Sequence, residues 1–333
     1  EDEMSTCLKD AIVVIDCSDT ACVGSRYHDM IAQAHECADA VHAIVVCQDG
    51  RESLREELGR LGVSSCVFLQ VNESALTASA LSPAIASAYT RFGNLEAPLL
   101  FASRFLDRES AASLAITLGG CAIAEAVALR VEDGRLCATT DALGGTWRAE
   151  IATHSAPACV CVRSRGLEVT AEENECVELA TEVVDPDPTH TLVIERVESS
   201  SDGRPNVTDA QVVVVGGRGA GNDWSLVEDL ADVLGAGIGA TRDAVDEGWA
   251  RRSAQIGQTG LTIAPKLYIS LGVSGAIHHT VGIMSSQTIV AICDDPDAPI
   301  FELADFGVVG DMYEIVPQAL EHLRAWQASR ADN

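Results

Sequence analysis

The sequence predicts an α/β protein of two domains, each built on a doubly wound parallel sheet. Short apolar runs alternate with segments whose apolar residues recur at helical spacing, a pattern typical of parallel sheets covered by helices on both faces. With 333 residues, the chain is longer than a single core usually serves. A polar stretch with Gly203 and Pro205 interrupts the alternation, so we predict domains over 1–200 and 211–333 and a linker over 201–210.

The first domain begins with four apolar runs that predict strands, at residues 11–16, 41–47, 65–71 and 97–103. The segments between and after them have helical spacing over residues 28–40, 52–61 and 108–118. Between Cys121 and Val162, several strand-like pieces joined by turns indicate an antiparallel extension of the sheet.

The second domain repeats the alternation after the linker. Its predicted strands cover residues 211–215, 237–241, 266–271 and 287–293. Its predicted helices cover residues 224–234 and 311–328.

The charge of the chain excludes several classes of partner. A formal net charge of −28 repels nucleic acid and anionic membranes. The only lysines are Lys9 and Lys266, a bias that fits either a GC-rich genome or a salty cytoplasm. No apolar run approaches the roughly eighteen residues of a membrane-spanning helix, and the acidic N-terminus lacks the pattern of a signal peptide. We therefore expect a cytoplasmic protein.

Twelve cysteines raise the question of metals and disulfides. The chain has no Cys-x-x-Cys motif, and its tightest pair, Cys159 and Cys161, would place both sulfurs on one face of a strand. Several other cysteines lie in or beside apolar runs: Cys17, Cys47, Cys66 and Cys121. We expect small buried thiols in a reducing compartment, with no metal site.

Polar and glycine-rich segments follow the predicted strands of the second domain, at residues 216–219, 241–242, 274–279 and 294–296. A further loop over 255–260 precedes the third strand. In open parallel sheets these carboxyl ends form the ligand crevice. Glycines let the backbone approach a pyrophosphate, and Arg218 and Arg242 can neutralise phosphate or a developing negative charge. The glycine spacing does not match G-x-G-x-x-G, and glycine-rich strand ends also occur as plain tight turns.

The adjacent pair His278 and His279 allows two interpretations. A histidine at the start of a helix can simply be satisfied by a backbone carbonyl. Alternatively, one of the two donates to an acceptor on a bound ring. Adjacent residues of a helix point in different directions, so the two side chains are not expected to share one role.

The second domain resembles the α subunit of the electron-transfer flavoproteins. The similarity is carried by "GGRG" from Gly216, "GATRDAVDEGW" from Gly239, "GQTG" from Gly257, "LYISLGVSGAIHH" from Leu267 and "TIVAICDDPDAPIFELADFGVVGD" from Thr288. Residues 119–151 are also similar to the family's first domain. The first ninety or so residues match only in general pattern, and the loop after the fourth strand is degenerate.

The resemblance implies a Rossmann-like domain that binds FAD. The residues it assigns to the cofactor are Gly217, Arg218, Gly219, Thr241, Arg242, Ile256, Gly257, Gln258, Thr259, Gly260, Ser274, Gly275, Ala276, Ile277, His278, His279, Cys293, Asp311 and Met312. Three of them depart from the family's usual residue: Thr241 replaces serine, His278 replaces glutamine and Cys293 replaces asparagine.

The resemblance also implies roles within the site. Arg218 and the glycines beside it lie near the pyrophosphate or the ring edge, and Ser274 with the backbone to Ile277 contacts phosphate. Arg242, Gln258 and Thr259 lie at the isoalloxazine ring, and the Thr259 hydroxyl is near N5. His279 faces the N1/O2 edge, where a donor backed by a helix N-terminus stabilises an anionic semiquinone. His278 is expected to bond a phosphate or ribose group. Asp311 and Met312 lie at the adenosine end.

The implied function is that of an electron-carrier subunit, with no catalytic residues of its own. Its FAD takes electrons from a flavoprotein dehydrogenase, such as an acyl-CoA dehydrogenase of fatty acid β-oxidation, and passes them to a quinone oxidoreductase or ferredoxin-type acceptor. The partner is a β subunit that holds AMP or, in a bifurcating variant that meets NADH, a second FAD. Two alternatives stay open. One is an NAD-dependent dehydrogenase with Asp243 on the ribose, and the other is a nucleotide-binding sensor without redox function.

Overall fold

The computed structural model describes residues 7–20, 22–142, 147–187, 190–195 and 203–331. Contacts divide the chain into two compact units, Glu1–Val197 and Glu198–Asn333. Of the predicted linker over 201–210, residues 201 and 202 lie outside the described part. Within the remainder, Val207 and Ala210 are buried in the core of the second unit.

The first unit contains a sheet whose described strands are β1 (Leu8–Cys17), β2 (Ala38–Cys47), β3 (Ser65–Gln70), β4 (Leu99–Ala102), β5 (Cys121–Glu132), β6 (Arg135–Ala142), β7 (Trp147–Ala152), β8 (Ala158–Val162) and β9 (Val177–Val183). Its described α-helices are α1 (Ser25–Cys37), α2 (Arg51–Arg60), α3 (Ala78–Tyr89) and α4 (Phe105–Leu118). The order of the strands is β7-β6-β5-β8-β4-β1-β2-β3-β9.

This first sheet is covered by a core on each face. Along β1, Val13 and Ile15 belong to one buried cluster, whereas Ile12 and Val14 belong to the other. Successive side chains of a strand point to opposite faces, so a continuous apolar run is what a doubly covered strand requires. Cys159 and Cys161 both lie in the second cluster, which confirms that the two thiols share one face.

The predicted antiparallel extension is present as β5, β6 and β7, which pair antiparallel at one end of the sheet. The sheet is therefore mixed rather than wholly parallel. Three elements differ from the sequence prediction. Helix α1 ends at Cys37 because residues 38–40 already pair in β2. Strand β9 and helix α3, which carries Pro83 in its interior, are additional.

The second unit has a parallel sheet of β10 (Val212–Gly216), β11 (Gly237–Ala240), β12 (Leu267–Leu271), β13 (Ile289–Cys293) and β14 (Phe306–Val309). Its α-helices are α5 (Ser225–Leu234), α6 (Arg242–Asp246), α7 (Ile277–Thr280) and α8 (Met312–Ala331). Val213 and Val215 of β10 face one core and Val214 faces the other. The doubly wound α/β class is thus confirmed, and β14 is a further strand.

Among the described residues, no helix is long and apolar enough to cross a membrane. In the same part of the chain, no group of three or more His, Cys, Asp or Glu side chains could hold a metal ion. Of the cysteines, Cys22 is exposed, Cys7 and Cys121 are half-buried, and the others are buried.

Candidate functional site

The strand order of the second sheet creates a crevice between β10 and β12. The order is β11-β10-β12-β13-β14, so the connection after β10 leads to one side of the sheet while the connection after β12 leads to the other. In open α/β sheets, ligands bind beyond the carboxyl ends of the strands at such a switch point.

Two glycine turns meet at this crevice. The backbone N–H of Gly219 donates to the carbonyl of Gly272 at 2.9 Å. A Cβ added to Gly217 would lie 2.3 Å from the Gly272 oxygen, and one added to Gly219 would lie 2.7 Å from the Gly272 Cα. Real Cβ atoms do not approach so closely, so both turns require glycine. Gly272 itself has a φ of +63°, and sequence reasoning did not include it in the site.

These turns lie in a row of hydrogen-bonded strand ends. Thr241 N–H donates to the Gly216 carbonyl at 3.1 Å, Gly217 N–H to Leu271 at 2.9 Å, and Gly272 N–H to Ile292 at 2.9 Å. The backbone bonds therefore fix the loops after β11, β10, β12 and β13 relative to one another, and the crevice is preformed by the sheet.

Two exposed arginines lie on the rim. The Arg242 side chain is 63% exposed and its Nε donates to Asp246 at 3.1 Å, one helical turn along α6. Arg218 is 3.8 Å from Asp243. Exposed pairs of this kind contribute only about 0–1 kcal/mol to stability, so both guanidinium groups can exchange these partners for a ligand anion at little cost.

Thr241 precedes α6 and acts as its N-cap. Its Oγ1 accepts from the Ala244 N–H at 3.5 Å. Serine and threonine both cap helices in this way, which explains physically why threonine serves where the resembled family usually has serine.

The loop over 255–260 presents Thr259 to solvent. Gln255 is buried, and its Nε2 donates to the Thr259 Oγ1 at 2.9 Å, while its own Oε1 is buried with no partner. Because the Thr259 oxygen accepts this bond, its O–H is free to donate outward. The structure thus places a hydroxyl that can donate on the exposed loop.

His278 and Gln258 form a pair at the surface. His278 Nδ1 lies 2.7 Å from Gln258 Oε1, and the Gln258 backbone N–H donates to the His278 carbonyl at 2.7 Å. With its oxygen turned to His278, the Gln258 amide keeps its N–H₂ group as a donor. The phosphate or ribose bond predicted for His278 would compete with this contact.

His279, in contrast, is buried. Its Nδ1 lies 3.2 Å from the Ile256 carbonyl and its Nε2 lies 2.8 Å from the Tyr268 hydroxyl. Burial lowers the pKa of His279 to about 4, although the bond to Ile256 opposes the shift. Both ring nitrogens therefore have partners, and the ring-donor role predicted for His279 requires one of these bonds to be given up.

The helix expected behind the histidines is very short. Helix α7 covers only Ile277–Thr280 and is followed by turns. A macrodipole arises from many aligned peptides, so one turn supplies little of the electrostatic support that the sequence analysis assigned to it.

The remaining predicted residues divide into exposed and buried sets. Those whose side chains or backbone are exposed are Gly219, Gly260, Ser274, Ala276, Ile277 and Asp311. Those that are buried are Gly217, Ile256, Gly257, Gly275, Cys293 and Met312. Met312 packs in one core and Cys293 in the other, so neither side chain is directed at solvent and their predicted contacts would have to come from the backbone.

The corresponding edge of the first sheet is built differently. Arg104, which follows β4, donates to Asp16 at 2.9 Å and to Asp107 at 2.7 Å. These side chains occupy the space where β1 and β4 end. At its switch point the first sheet thus has charged side chains paired with one another, whereas the second sheet has glycine turns without side chains.

The second crevice has the features of a dinucleotide-type site. Its glycine turns leave room for a phosphate group against the backbone. Arg218 and Arg242 carry positive charge, and the exposed side chains of Gln258, Thr259 and Ser274 can donate hydrogen bonds. A flavin nucleotide fits this set, because its phosphates need the cations and its ring edge needs the donors.

Comparison with known proteins agrees with this description. The family model described as "Electron transfer flavoprotein FAD-binding domain" matches residues 206–284, and the "Electron transfer flavoprotein domain" model matches residues 28–198. Cys293, Asp311 and Met312 lie beyond the first of these matches.

Several curated relatives carry the name electron transfer flavoprotein subunit alpha. The protein from Syntrophomonas wolfei is 34% identical over 306 residues, which cover 89% of this chain and 93% of the relative. The one from Mycobacterium leprae is 41% identical over 228 residues, covering 65% and 72% respectively. A probable mitochondrial alpha subunit from Caenorhabditis elegans is 52% identical over 123 residues, covering 36% and 37%.

The contact between the glycine turns makes a testable prediction. Gly217→Ala should lower the free energy of unfolding by about 2–3 kcal/mol, because the new methyl group meets the Gly272 carbonyl. Gly235→Ala is the control, since its Cβ would have no neighbour within 4 Å and costs only left-handed strain of about 1 kcal/mol. Urea unfolding compares the two. Equal losses would show that the turns do not depend on close backbone approach.

Burial of His279 predicts a pH dependence. Its folded pKa of about 4 lies below the ordinary value of 6.5, so between these values the unfolded chain binds the extra proton. Stability therefore falls as pH drops from 6.5 to 4, by about 1.4 kcal/mol per unit from this residue. His279→Gln should lose this slope. His190→Gln, which replaces an exposed histidine, is the control and should keep it; equal slopes in the three proteins would contradict the burial.

Proposed function

Because the chain belongs to the alpha-subunit family of the electron transfer flavoproteins, we propose that its FAD is reduced by flavoprotein dehydrogenases such as acyl-CoA dehydrogenases. The chain is an electron-carrier subunit with an FAD-binding domain. The alternatives of an NAD-dependent dehydrogenase and a non-redox sensor are not functions of this family. The acceptor in the proposal is a downstream quinone oxidoreductase or a ferredoxin-type protein.

The observation that best supports this proposal is the set of exposed hydrogen-bond donors and arginines at the preformed edge of the second sheet. FAD, when bound, supplies the ability to accept electrons from one protein and release them to another. The residues of this chain contribute binding and electrostatics, since a positive charge or a fixed donor favours the more negative state of a neighbouring group.

Each exposed group has a proposed task at this edge. Arg242 holds positive charge beside the ring, and Arg218 with the backbone of Gly217 and Gly219 holds the pyrophosphate. Thr259 directs its hydroxyl outward, with the oxygen fixed by Gln255. Gln258 offers its amide N–H₂ because His278 engages the amide oxygen.

The proposed partner is an electron transfer flavoprotein beta subunit, which holds either AMP or a second FAD. In this proposal the beta subunit covers the side of the FAD that the alpha chain leaves open to water. The strong negative charge of the alpha chain opposes self-association and favours a heterodimer over a homodimer. The cytoplasmic location stays a prediction.

The test is co-expression with the beta subunit encoded in the same genome, followed by reduction with an acyl-CoA dehydrogenase and its acyl-CoA substrate. We expect a yellow heterodimer whose FAD absorbance is bleached by this donor system. One FAD per heterodimer indicates a simple carrier, and two indicate a bifurcating complex, for which NADH oxidation is then measured. A heterodimer that binds FAD but is not reduced would reject the proposed donor, and the absence of FAD would reject the site.

Arg242→Ala should lower the midpoint potential of the bound FAD, because a positive charge beside the ring favours reduction. A tenfold loss of preference for the reduced form corresponds to about 60 mV for one electron. Potentiometry measures the shift on the heterodimer.

Asp246→Ala is the matched control, since it removes the same ion pair but keeps the arginine. It should leave the potential unchanged or slightly raised. If both variants lose the same small free energy of unfolding and neither shifts the midpoint potential, Arg242 acts only through its ion pair within α6.

A further inference from the structure

Tyr268 is a buried side chain for which the proposed function has no role. It lies in β12, is 0% exposed, and its hydroxyl is 2.8 Å from Nε2 of His279. It shares a buried cluster with Ile256 of the loop that presents Gln258 and Thr259, yet it cannot itself reach the surface.

The direction of the hydrogen bonds follows from their acceptors. A backbone carbonyl can only accept, so His279 Nδ1 must carry the proton that bonds the Ile256 oxygen at 3.2 Å. In the neutral imidazole the other nitrogen is then an acceptor. The Tyr268 hydroxyl therefore donates to Nε2, and the two bonds together hold His279 as the Nδ1–H tautomer.

This chain of bonds joins three parts of the second unit. Tyr268 belongs to β12, His279 to α7 and Ile256 to the loop over 255–260. The loop also rests tightly on α7, because a Cβ added to Gly257 would lie 2.3 Å from the His278 carbonyl. A shift of the His279 ring would thus be transmitted to the residues next to Ile256.

We propose that Tyr268 is a positioning residue for the FAD site, acting through His279 to hold the loop that carries Gln258 and Thr259. The inference rests on the proposed function, because the position of this loop matters as part of the cofactor site. Without the Tyr268 hydroxyl, Nε2 of His279 is a buried acceptor with no donor, a condition that proteins avoid.

The test is Tyr268→Phe in the heterodimer with the beta subunit. Phenylalanine keeps the ring volume, so no cavity forms and only the hydroxyl is lost. We expect the dissociation constant for FAD, measured by fluorescence titration, to rise about tenfold. Nitrogen-15 NMR of labelled histidine should show His279 as the Nδ1–H tautomer in both proteins, with the signal of its unprotonated Nε2 shifted downfield in the variant because that nitrogen has lost its donor.

Tyr89→Phe is the matched control. Tyr89 is also buried, and its hydroxyl donates to a backbone carbonyl, that of Ala97, at 2.9 Å in the first unit. It should lose a similar amount of thermal stability while keeping wild-type FAD affinity and the wild-type His279 spectrum. The comparison separates general destabilisation from an effect on the site.

A double variant tests whether the effect passes through His279. In a His279→Ala background, Tyr268→Phe should weaken FAD binding no further, since the group it acts on is gone. An FAD affinity and His279 spectrum unchanged in Tyr268→Phe, or a full additional loss in the double variant, would overturn the inference. A wild-type heterodimer that binds no FAD would instead reject the proposed function.

Discussion

The close approach of two backbone turns at the centre of the second sheet is the constraint on which the site depends. Gly217 and Gly219 lie against Gly272 with no space for a side chain on either turn. This contact, and the hydrogen bonds between successive strand ends, set the positions of the loops before any cofactor is present. The arginines, the Thr259 loop and the histidines are then distributed around a crevice whose floor is main chain.

The residues assigned to the site differ in burial. The groups proposed to bind a ligand are exposed and weakly paired, as Arg218 and Arg242 are with neighbouring aspartates. Groups that hold the frame are buried and fully bonded, as His279 and Tyr268 are. Adjacent positions 278 and 279 thus divide between surface and interior, because a single helical turn points them in different directions.

Much of this arrangement could be predicted from sequence, since continuous apolar runs mark doubly covered strands and their carboxyl ends mark the crevice. Strand β9 could not, because it is an edge strand with exposed residues and no apolar run. Helix α3 contains Pro83, which normally argues against a helix interior. The burial of His279 in α7 could not be predicted either, since it depends on a contact with Tyr268 in β12. Gly272 can be identified as part of the site only from its contact with Gly217 and Gly219.

The distribution of thiols has a practical consequence for observing motion. Cys293 is the single cysteine of the second unit, and it is buried at the end of β13 beside the crevice. A thiol-reactive reagent can reach it only when that part of the sheet opens. Its labelling rate, followed by peptide mapping because more exposed cysteines of the first unit also react, therefore reports local opening at this end of the sheet without an engineered cysteine.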